Sequence, residues 1–139
     1  MKNKLIISLL VISVYFTGCT DDDIVNQSYY NTPVISKTKN VFAYTLVANS
    51  YSSTAEYDLT FTSDSLAYSL IFSNYSSGNG SLTVQMNASS SYMFVESLNS
   101  NKVISLTDAN HGIPEKVKLI FDHFTGTLNF SLAKSNSNY

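Results

Sequence analysis

From residue 41 to residue 132, apolar and polar side chains alternate with a period close to two. Only an extended strand sends successive side chains to opposite faces; a helix would need an apolar stripe at three- and four-residue intervals. In AEYDLTFT (55–62), Ala55, Tyr57, Leu59 and Phe61 fall on one face, with Glu56, Asp58, Thr60 and Thr62 on the other. SLAYSLIFS (65–73) repeats the pattern with Leu66, Tyr68, Leu70 and Phe72. The same reading turns Phe42, Tyr44, Leu46 and Ala48 inward from an earlier strand, and Leu82, Val84 and Met86 inward from a later one.

Turn signals divide this alternation. Thr62-Ser63-Asp64 is one, and SSGNGS (76–81) is another, where paired glycines supply the positive φ of a tight reversal. Less regular strands are expected at 91–98 and 102–107. The last hairpin is expected to put Val117, Leu119 and Phe121 on one face, to turn at Thr125-Gly126, and to return Leu128, Phe130 and Leu132 to the same side. About eight short strands with turns between them predict an all-β, antiparallel domain, either a sandwich or a closed barrel. The jelly-roll-like sandwich is the preferred expectation. GSLTVQM (80–86) and VKLIFDHFTGTLNFSL (117–132) resemble the strands of small jelly-roll accessory domains on secreted bacterial enzymes and adhesins, over about a third of the chain.

The N-terminus follows a different rule. Met1-Lys2-Asn3-Lys4 is basic, and LIISLLVISVYF (5–16) is apolar but too short to span a bilayer as a helix. Thr17-Gly18-Cys19 then places small residues before the only cysteine, which is signal-peptide order. These residues resemble the lipobox of bacterial lipoproteins, with Phe16 where the leucine usually stands. The resemblance implies cleavage after residue 18, a diacylglycerol with palmitate-type chains on Cys19, and a place in the outer membrane. Asp21, Asp22 and Asp23 resemble the acidic export signal of surface lipoproteins of Bacteroidota; a solvated spacer is the alternative reading of the same run. Residues 19–40 are expected to form the lipidated end and tether, and residues 41–139 the domain.

Beyond residue 18 the chain carries six lysines, no arginine and ten carboxylates, a formal charge of −4. Nucleic acid is excluded as a partner on that balance, since phosphate binding needs clustered cations. The membrane is expected as a partner only through the lipid.

Catalytic chemistry finds little support. Glu56 and Asp58 stand about 6.6 Å apart if they share a strand face, the spacing of an inverting glycosidase pair, but any wet strand face offers such a pair. Neither His111, beside Gly112 and Pro114, nor His123, expected at a core edge, belongs to a zinc motif. Asp108 and Asn110 in TDANHG offer calcium two oxygen ligands, which an Asx turn explains equally well. No cofactor, metal or catalytic residue is expected. Asp64-Ser65-Leu66 resembles a short O-glycosylation site of Bacteroidota. Tyr51 and Tyr75 lie off the core register near expected turns, where amphipathic rings stack on sugars or anchor a protein partner. The expected function is a non-catalytic surface module for glycan or another surface protein. The alternative is a structural subunit of a cell-envelope complex.

Overall fold

A computed structural model of the chain describes residues 29–86, 91–110 and 112–135, with backbone only for 108–110. Cys19 and Asp21 to Asp23 lie outside the described residues, as does His111. The described chain is all-β and antiparallel. Its strands are β1 (Val34–Lys37), β2 (Val41–Asp58), β3 (Ser65–Met86), β4 (Tyr92–Ser97), β5 (Lys102–Asn110) and β6 (Pro114–Lys134). They form one sheet in the order β1-β2-β6-β3-β4, with β5 also paired to β3.

Among the described residues six strands replace the expected eight, because three pairs of expected strands run on as the single strands β2, β3 and β6 while the expected tether adds β1. SSGNGS lies within β3, and Thr125-Gly126 lies within β6. Strands β2, β6 and β3 all break register at the same level, between Ala48 and Ser53 on β2 and between Ser73 and Asn79 on β3. Ser50, Asn74 and His123 take left-handed backbone there, at φ of 49°, 54° and 47°, together with Gly78 at 81°. A bulge adds twist and bends its strand; three aligned bulges crease the whole sheet.

Side chains collect the backbone amides that the crease frees. The Ser50 amide donates to Thr125 Oγ1 at 2.9 Å and the His123 amide to Ser52 Oγ at 2.8 Å. Tyr75 donates its amide to Asn101 Oδ1 at 2.9 Å and its hydroxyl to the Gly78 carbonyl at 2.8 Å. Gly126 has ordinary φ and marks a close approach: a Cβ there would sit 2.9 Å from the Phe72 ring.

The crease divides the sheet into two arms. The first arm holds β1, β5 and residues 41–48, 65–73 and 125–134 of the long strands; the second holds β4 and residues 51–58, 77–86 and 114–122. Phe42 and Tyr57 would stand roughly 50 Å apart on a straight strand, yet their ring centroids are 5.5 Å apart. The inner faces of the arms therefore pack on each other. Tyr68 meets Phe94 at 4.6 Å and Phe94 meets Phe130 at 6.1 Å across the same gap.

The alternation held on the inner faces: Phe42, Tyr44, Leu46, Leu66, Leu70, Phe72, Leu82, Val84, Val117, Leu119, Leu128, Phe130 and Leu132 are all buried. His123 is a departure. Its left-handed φ shifts the register by one residue, so Phe124 is buried beside Phe121 while the imidazole stands in solvent next to Asp122.

Lysines bridge the arms at both open sides. Lys102 of β5 forms an ion pair with Glu96 of β4 at 3.0 Å, and Lys37 of β1 donates to the Asp58 carbonyl at 3.0 Å. The expected tether also contributes to the sheet. Val34 to Lys37 pair with β2, and Asn31 donates its amide to Val47 O at 2.8 Å and its side-chain amide to Asn49 O at 2.9 Å.

Candidate functional site

The core consumes the inner faces, so the outer faces are the broad surfaces left exposed, and the two arms present different chemistry. Cross-strand register builds the second arm's outer face in rows. One row runs Asp58, Lys116, Gln85, Tyr92, and the next runs Glu56, Lys118, Thr83, Val95. Each residue is the outward partner of a buried neighbour, so the pattern that sends Val117 and Leu119 inward sends Lys116 and Lys118 outward.

Glu56 is held by both lysines, its Oε1 2.9 Å from Lys118 Nζ and its Oε2 3.3 Å from Lys116 Nζ; Lys116 also lies 3.9 Å from Asp58. The hydrogen bond from Lys118, then that from Lys116, holds the Glu56 carboxyl below its ordinary value. The same bond with Glu56 raises the Lys118 ammonium. A general acid needs a carboxyl raised by its surroundings; the lysines move Glu56 in the opposite sense.

Glu56, Lys116 and Lys118 line a groove of about 330 Å³ with Thr83, Gln85, Tyr92 and Ile120. The Tyr92 side of the groove is the most open, since Tyr92 is 61% exposed and Val95 beside it 60%. Two balanced cations and two carboxylates, a hydroxyl, an amide and an exposed ring form a surface with little net charge.

The first arm's outer face carries no charge in its central rows. One row runs Val34, Thr45, Asn129, Ile71, Val103. The neighbouring row runs Ser36, Ala43, Ser131, Ser69, Ser105. Thr45 donates to Asn129 Oδ1 at 3.1 Å, one strand to the next.

Tyr51 and Tyr75 sit at the crease and are partly buried against the core. Tyr51 packs on Phe121 at 5.5 Å; Tyr75 packs on Phe72 at 5.6 Å with its hydroxyl committed to Gly78. Near Tyr51, burial and then the neighbouring phenols push the Tyr44 hydroxyl well above the ordinary tyrosine range. Asp108 and Asn110 belong to strand β5 instead of a loop, their side chains being outside the described residues. Among the described residues no three His, Cys, Asp or Glu side chains converge on one point. Ser65 opens β3 and is half-buried.

Tyr92, Lys116 and Lys118 were not singled out from sequence. The available signal was complementary charge on opposite-parity positions: Glu56 and Asp58 on one strand, Lys116 and Lys118 on another, all out of phase with the buried residues. No protein-family model, curated protein or solved structure matches the chain.

Proposed function

We propose that the chain is a bacterial surface lipoprotein, anchored in the outer membrane by lipid on Cys19, whose β-sandwich binds glycan or another surface protein without catalysis. The contact is the groove on the second arm. The observation that carries this reading is the exposed Tyr92 ring beside a groove whose lysines and carboxylates neutralise one another. A ring of this kind stacks on the apolar face of a sugar or seats a peptide, while Thr83 and Gln85 supply hydrogen bonds. Balanced charge favours a neutral ligand. Water competes for every sugar hydroxyl, so a single site is expected to bind with a dissociation constant on the order of 0.1 to 1 mM.

Multivalent display on a broad glycan array lifts such weak binding into view. Tyr92→Ala is expected to lower the signal at least tenfold, with Tyr51→Ala and Tyr75→Ala alongside as tests of the crease tyrosines. Silence across the array, or binding untouched by Tyr92→Ala, removes the glycan reading. The anchor is tested separately by metabolic labelling with a lipid precursor, where Cys19→Ala should abolish the label. If replacing Asp21, Asp22 and Asp23 with alanine leaves protease accessibility on intact cells unchanged, the acidic run is a spacer and not an export signal.

One observation favours a second reading. The first arm's outer face, uncharged in its central rows, suits a structural subunit, which gains its place in an envelope complex by packing.

A further inference from the structure

We infer that the outer face of the first arm is a self-association surface, on which a second copy of this chain packs face to face about a two-fold axis near Ser131. The side chains of its central rows are short and uncharged, and three of the larger ones stand in solvent: Val34 at 67%, Val103 at 73% and Ile71 at 43% exposure. Ile71 and Val103 are cross-strand partners, and Val34 stands at the far edge of the same row beyond Thr45 and Asn129, so the row is neutral throughout and apolar at both ends.

The absence of charge selects the partner. A two-fold contact brings a face onto itself, so every charge near the axis meets its own copy; this face is built without any in its central rows. A charged partner would lose hydration here and find nothing with which to pair. The lysines and carboxylates of the second arm point away from such a contact.

Size fits as well. Four strands of about eight residues and β1 of four, about 4.8 Å apart and about 3.3 Å per residue, give a face of roughly 570 Å² in projection. Accessible area exceeds projected area, which brings the face near the roughly 800 Å² per partner of a stable interface. Two copies carry the same twist, so their sheets can pack aligned at about 10 Å. β6 is the central strand, and Ser131 lies at its middle on this face.

The test uses the full chain expressed with its own leader, in isolated membranes. Ser131→Cys is close to isosteric, and Ser81→Cys is the matching change on the second arm's outer face. Facing sheets hold backbones too far apart for a direct disulfide, whose Cα atoms must approach within about 7 Å, so a short bis-maleimide serves as the bridge. The expected result is a covalent dimer from Ser131→Cys, above the background of the unsubstituted chain, and at least fivefold less from Ser81→Cys. Adding Ile71→Lys to Ser131→Cys should cut the dimer at least fivefold, with the β-rich circular dichroism spectrum of the detergent-solubilised chain unchanged. Equal cross-linking at both positions, none at Ser131→Cys, or indifference to Ile71→Lys would each overturn the inference. A neutral polysaccharide bound to this face in place of a second copy would give the second of these results.

Discussion

The two arms share the three long strands β2, β3 and β6, and their inner faces are alike, with Phe42, Phe72 and Phe130 in one and Leu82, Leu119 and Phe121 in the other. Their outer faces are not alike. The second arm exposes a lattice of opposite charges around Tyr92, whereas the first exposes short neutral side chains. A continuous strand thus changes its outward chemistry as it passes the crease: β6 shows Lys116 and Lys118 before it, Asn129 and Ser131 after it. Packing constrains only alternate residues, so the outward set is free to be specialised, and one sheet can carry two surfaces.

The sharpest test of this comparison asks whether the arms are one folding unit. Phe130→Ala in the first arm and Phe121→Ala in the second each delete a buried ring, 2% and 4% exposed, and each is expected to cost about 3 to 5 kcal/mol. Because the strands cross the crease unbroken, both variants should unfold in one transition by urea titration, with far- and near-ultraviolet dichroism coincident. Two separated transitions would mean that the arms are independent domains.

The crease itself comes next. An alanine Cβ at Gly78 would overlap the His123 carbonyl, at φ +81°. Relief requires backbone movement in β3 or β6, and Gly78→Ala is expected to cost about 2 to 3 kcal/mol in the same titration. A cost under about 1 kcal/mol would show that the bend tolerates a side chain. Smaller still is the bridge between arms. A double-mutant cycle with Lys102→Met and Glu96→Gln should give a coupling of about 0.5 to 1 kcal/mol that shrinks with added salt.

What could be read in advance follows from which interactions are local. Alternation identifies inner faces because strand geometry imposes it on neighbouring residues, and Leu82, Val84, Leu128 and Phe130 are buried as their parity requires. Bends were mistaken for reversals at SSGNGS and Thr125-Gly126 because glycine serves both, and strands of 21 or 22 residues far exceed the usual length. Phe124 escaped for a related reason, since the left-handed His123 breaks the period that would have marked it. The candidate groove depends on register between distant positions, such as Glu56 with Lys118 and Thr83 with Lys118. No short segment contains it. The ring that stands exposed, Tyr92, lies where alternation is least regular, beside the bulge between Val84 and Gln85.

The smallest effect separates the arms by pH. Glu56 has its carboxyl lowered, first by Lys118 and then by Lys116, so its contribution to stability is complete above the ordinary value of about 4.5 and is lost as pH falls through the lower folded value. Lys118 has its ammonium raised by Glu56, so its share is complete below about 10.5 and is lost as pH rises through the higher folded value. Both windows belong to the second arm. The central rows of the first arm's outer face contain nothing that titrates between them. Nuclear magnetic resonance should therefore find a Glu56 midpoint below that of an exposed glutamate, moved back toward it by Lys118→Gln and by less with Lys116→Gln. Over the acid window the amides of Thr83 and Gln85 should shift, while those of Thr45, Ser69 and Ser131 stay still. If the first arm's amides move in step with Glu56, its outer face senses charge through the crease, and the separation of the two surfaces fails.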